Sequence, residues 1–94
     1  MTEQEKQQLS RDVAEKYRIS AWFIYEDRCE KLWLHEDSAR CFDLMVEHGV
    51  SVNDKTSKVF ANVDGLDFYE HYCDHPTKQE TTRIAILKAL LAKE

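Results

Sequence analysis

Residues 50–65 read VSVNDKTSKVFANVDG, and this stretch decides the fold. It reads as a β-hairpin: one strand from Val50 to Asn53, a polar turn over Asp54 to Ser57, and a second strand from Lys58 to Val63. Asp64-Gly65 ends it. A hairpin is antiparallel by construction, so the rest of the chain is read for what covers it.

Upstream, SAWFIYEDRCEKLWLHED offers a second pair of strands. Ala21 to Tyr25 and Lys31 to Leu34 are rich in aromatic and β-branched residues, and Glu26-Asp27-Arg28 is polar enough to turn the chain between them. Trp22 and Ile24 would face one side, Phe23 and Tyr25 the other. Both faces are apolar, which calls for cover on both.

Three segments have the 3.6-residue period of helices. The first runs from about Glu5 to Tyr17, with Leu9, Val13, Ala14 and Tyr17 as its apolar stripe, and Thr2 and Glu5 at capping-box spacing. The second covers Glu36 to His48, with Ala39, Phe42, Met45 and Val46 as its expected core face and Gly49 as its terminator. The last, TKQETTRIAILKALLAKE, opens on a second Thr-x-x-Glu box (Thr77, Glu80) and carries Ile84, Leu87 and Leu91 toward the core. Phe68 to Cys73 suits either a strand or a helical turn. The predicted order is α-β-β-α-β-β-α, an α+β domain in which helices pack on a small antiparallel sheet.

Composition narrows the function. The 94 residues fit one domain, and two glycines and one proline leave little room for long loops. Thirteen basic residues against eighteen acidic ones give a net charge of −5, which repels a phosphate backbone and argues against nucleic-acid binding. Three cysteines, Cys29, Cys41 and Cys73, are an odd number without a CxxC pair, and no apolar run approaches a membrane span. The expectation is a soluble cytoplasmic protein with reduced thiols.

Most of the potential chemistry sits in FYEHYCDHP, residues 68–76. On a helix His71 and His75 would share a face; on a strand His71, Cys73 and His75 would all point to one side. A structural zinc site needs four ligands, and the fourth has no recognisable source. Pro76 favours the plainer reading, a linker into the last helix, with both histidines at the surface. Cys41, beside Phe42 in an apolar helix, reads as a small hydrophobe rather than a nucleophile. No phosphate loop, nucleophile elbow or paired-carboxylate motif is visible, so neither an enzyme nor a cofactor is expected. The acids Asp64, Asp67 and Glu70, with Asp74, suggest an acidic face able to meet a basic protein.

Three segments, LSRDVAEKY, HEDSARCFDLMVEHGVSV and TTRIAILKALLAKE, together resemble the phage ABA-sandwich family of small phage and prophage proteins that includes NinX-like proteins. The resemblance implies a helix–sheet–helix sandwich and a phage or prophage origin. It brings no catalytic residues. The function expected from all of this is non-enzymatic: an acidic protein acting on a protein partner. Its surface is expected to combine Trp22, Tyr25 and Trp33 with Asp64, Asp67 and Glu70, and a homodimer is one way of using the aromatics. The alternative is a small metal-binding or thiol-dependent protein centred on His71, Cys73 and His75.

Overall fold

The computed structural model describes residues 1–19, 22–25, 28–31 and 33–93, the two short strands 22–25 and 28–31 by their backbone alone. Helix α1 spans Glu3–Tyr17, strands β1 and β2 span Trp22–Tyr25 and Arg28–Lys31, and a short 3-10 turn covers Leu34–Glu36. Helix α2 follows over Ser38–His48, then β3 (Ser51–Asp54), β4 (Lys58–Val63) and β5 (Leu66–His71). A second 3-10 turn at Tyr72–Asp74 leads into α3, Lys78–Ala92. The fold is α+β, with helices packed on an antiparallel sheet, as the periodicity predicts.

β1 and β2 form their own two-stranded ribbon, with Trp22 opposite Lys31 and Tyr25 opposite Arg28. The second strand of this ribbon comes earlier than expected. Trp33 and Leu34 are drawn inward instead, Leu34 by the 3-10 turn, and both are buried. The main sheet has the order β3-β4-β5. β4 and β5 pair from Lys58 opposite His71 to Val63 opposite Leu66, which settles Leu66–His71 as a third strand of this sheet. Asp64 at φ 52 and Gly65 at φ 83 make the tight turn between them, two consecutive positive-φ positions of the type a two-residue hairpin requires.

The sheet buries one face. Val59, Ala61 and Val63 point inward from β4 onto α3, whose Ile84, Ala85, Leu87, Ala89 and Leu90 are all buried. α3 is innermost: the sheet lies on one side of it, and α1, α2 and the Leu34–Glu36 turn pack on it from elsewhere. Long-range hydrogen bonds tie α1 to it: Lys6 Nζ to Glu80 at 2.8 Å, Tyr17 Oη to the Leu90 carbonyl at 2.7 Å and Lys16 Nζ to the Leu91 carbonyl at 2.8 Å. Leu91, expected in the core, lies one step around the helix and is exposed.

Capping chemistry accounts for the helix ends. Thr2 and Glu5 make a full reciprocal box, each side chain bonded to the other's backbone amide. At α3 only half of the second box forms. Thr77 Oγ1 accepts from the Glu80 amide, but the Glu80 carboxylate turns away to Lys6. α2 is capped by Asp37, whose carboxylate accepts from the Arg40 amide, and ends at Gly49 with φ 71, a left-handed value glycine adopts without steric cost.

Candidate functional site

α2 turns an unexpected side inward. Its buried residues are Cys41 and Leu44, with Met45 partly covered, one face of the helix at i, i+3 and i+4. Of the stripe predicted as core, Ala39, Phe42, Met45 and Val46, only Met45 packs against the core; the other three lie on the opposite side, and Phe42 and Val46 are 59% and 63% exposed. Two competing apolar stripes exist on this helix, and the Cys41 stripe wins because it is the one facing α3 and Leu34. Cys41 Sγ donates to the Leu34 carbonyl at 3.0 Å, and burial pushes its thiol up to about 12. It is held as a thiol and is no nucleophile.

Beside the exposed stripe runs a groove of about 450 Å³ between α2, α3 and the β3–β4 edge of the sheet. Met45, Val52, Val59 and Ile86 line its apolar part, and Arg83 and Lys78 stand on its rim. Arg83 is held in place by its own bonds, Nε to the His35 carbonyl and Nη1 to Ser38 Oγ, both at 2.7 Å. At the far end Tyr72 Oη donates to Asp54, and that bond raises the phenol to about 12, so it stays a donor. On the other side of Phe42 and Val46 the helix surface is acidic, with Asp43 and Glu47 both exposed. Taken together this is an apolar strip bordered by carboxylates on one flank and open to a groove on the other.

A second cluster joins the starts of the two long helices. His35 is buried and bonded at both ring nitrogens: Nδ1 lies 2.8 Å from Ser10 Oγ, and Nε2 lies 3.1 Å from Glu3 Oε1. The His35 backbone amide also donates to Ser10 Oγ. The run Ser10–His35–Glu3 resembles a serine-hydrolase relay in composition, but Ser10 has no exposed surface, so no substrate reaches its hydroxyl. Glu80 stands next to it. Burial raises its carboxyl, but the Lys6 hydrogen bond and charge, with smaller help from His35 and His75, outweigh burial and leave it below the usual carboxylate range.

The residues predicted as sites disperse. The side chains of Trp22 and Tyr25 lie outside the described residues. Trp33 is 7% exposed, buried under the Arg11 guanidinium 5.0 Å from its ring centre, and is therefore no surface anchor. Asp64 sits in the β4–β5 turn, and Asp67 lies on the outer face of the sheet, accepting from Asn62 Nδ2 at 2.9 Å. Glu70 is drawn into a bridge, with Oε1 3.0 Å from His75 Nε2 and Oε2 2.8 Å from Lys88 Nζ. An acidic face made of these three does not form.

FYEHYCDHP is likewise divided. Phe68–His71 belongs to β5; His71 stays on the outer face beside Tyr69, their ring centres 5.5 Å apart. Cys73 is exposed in the 3-10 turn, and His75, read as a surface linker residue, is buried with a side chain 0% exposed. Extended backbone at His75 before Pro76 turns the ring inward onto Glu70, which a linker reading had no means to foresee. His71, Cys73 and His75 do not share one ligand position, whereas Glu3, His35 and Glu80, which the sequence reading passed over, do. Their only signal in the sequence is polar residues inside apolar surroundings: Ser10 next to Leu9 on α1, and His35 directly after Trp33-Leu34. Compared with family models, with curated proteins and with solved structures, the chain matches none.

Proposed function

We propose that the protein is a non-catalytic, cytoplasmic interaction protein that binds a basic protein partner through the outer surface of α2. The observation that carries this reading is the exposure of Phe42 and Val46, 59% and 63%, on a helix whose other side already fills the core. Contiguous apolar surface of this kind marks interfaces, and aromatic residues anchor them. The class of partner follows from the border: Asp43 and Glu47 flank the strip on a molecule of net charge −5, so lysine and arginine on the other surface gain from meeting it. The groove beyond Met45 and Val52 receives an apolar side chain from the same partner. The resemblance to small phage proteins supports a role in which a host protein is modulated by being covered, with no reaction performed on it.

The test compares wild type with Phe42→Asp/Val46→Asp as bait, with Asp67→Asn as a control outside the strip. The captured protein is then purified and titrated. A basic partner that binds wild type and the control, weakens with added salt, and loses about 2 kcal/mol or more with the double variant is the expected result. Equal binding by all three baits, or sedimentation showing the strip closed in a self-dimer, overturns the reading.

A further inference from the structure

We propose that Glu3, His35 and Glu80 form a binding site for a divalent transition ion of the zinc type, separate from the α2 surface. Each residue offers one ligand atom, and these atoms all lie within 4.8 Å of one another. They come from three separate segments: the first turn of α1, the Leu34–Glu36 turn and the first turn of α3. Tetrahedral zinc with bonds of about 2.1 Å needs roughly 3.4 Å between ligand atoms. His35 Nε2 and Glu3 Oε1 are already 3.1 Å apart. The Glu3 side chain is 60% exposed and free to swing, so it supplies both the remaining closure and the path of entry. Mixed imidazole and carboxylate donors suit zinc and its neighbours, and three protein ligands leave a position open to water.

His35 is fixed in the manner a ligating histidine requires. Its ring is held by Ser10 at Nδ1, and its carbonyl accepts from Arg83 Nε at 2.7 Å, so neither ring nor backbone needs to reorganise. An ion on Nε2 places the ring proton on Nδ1, where Ser10 Oγ accepts it. Without the ion, Ser10 donates to Nδ1 and Nε2–H donates to Glu3; the two states differ by the ring tautomer and a turn of the Ser10 hydroxyl, with the ring itself left in place. Glu80 is already ionised against Lys6, whose ammonium lies 2.8 Å from Oε1. Oε1 therefore already serves a resident cation, with which the ion would share the Glu80 carboxylate. Lys6 opposes binding by its charge and sets the affinity low for a zinc site.

The experiment titrates the whole chain with Zn²⁺ by calorimetry, and with Co²⁺ by visible absorption, following melting in parallel. One ion per chain, a raised melting temperature and a cobalt spectrum of low coordination number are expected. Glu3→Gln, an exposed and conservative change, should weaken binding about tenfold or more, and Ser10→Ala by about 10–100-fold. Lys6→Met should strengthen it by removing the competing charge. Absence of binding at millimolar ion, binding untouched by Glu3→Gln, or binding lost instead in Cys73→Ser overturns the proposal. Each of these readouts is independent of whether a protein partner exists.

Discussion

His71 and His75 are four residues apart, and their surroundings assign them opposite weights. His75 contributes one ring nitrogen to Glu70 and its side chain is wholly enclosed, its Nδ1 left without a partner among the described residues. His75→Ala removes one side of a buried bond and leaves part of the Glu70 carboxylate to Lys88 alone, so a loss of about 1–3 kcal/mol is expected. His71→Ala, on the outer sheet face, should stay within about 0.5 kcal/mol. Urea midpoints of the two variants check this, and equal midpoints would show that His75 is not the enclosed partner of Glu70. The sequence could not separate them. Both lie in one polar run, and which one turns inward depends on where the strand ends, a matter of register that local composition does not encode.

At the level of elements, the strongly periodic pieces were legible: three helices, the β3–β4 hairpin and both Thr-x-x-Glu signals. The misread helix is α2, and the reason is geometrical. Cys41, Leu44 and Met45 define one apolar side, Ala39, Phe42 and Val46 another, and only the position of α3 decides between them. Phe42, Val46 and Ala39 are together the more hydrophobic set, which is why periodicity weighted by hydrophobicity picks the side that is left out. Two substitutions make the distinction measurable. Leu87→Ala, in α3 and fully buried, should cost about 2–5 kcal/mol. Phe42→Ser with Val46→Ser should change stability by no more than about 1 kcal/mol, since these side chains are already in water. A large loss from the second pair would mean that the strip is core after all.

Across the whole molecule, the polar seam between α1 and α3 couples stability to pH. Glu80 has a folded value below its ordinary 4.5, and Glu5, held by the Thr2 backbone amide and then its hydroxyl, is lowered as well. Groups lowered on folding stabilise the folded state above the ordinary value, and that contribution disappears as pH falls through the lowered one. Wild type should therefore lose stability as pH drops below about 4.5, and Glu80→Gln should flatten part of that loss. Chemical denaturation from neutral to acid pH checks it; identical slopes for the two proteins would remove Glu80 from the account.

The central place of α3 also has a consequence for how the protein is made. The sheet, α1 and α2 all rest on a helix that begins only at Lys78, and the bonds that join α1 to it span 73, 74 and 75 positions of chain. Until those residues are in place, Val59 and Val63 lack the helix that covers them. The interior shared by the sheet and the other two helices thus requires α3. A chain cut ahead of Lys78 keeps two amphipathic helices and the strands but loses the helix on which they pack.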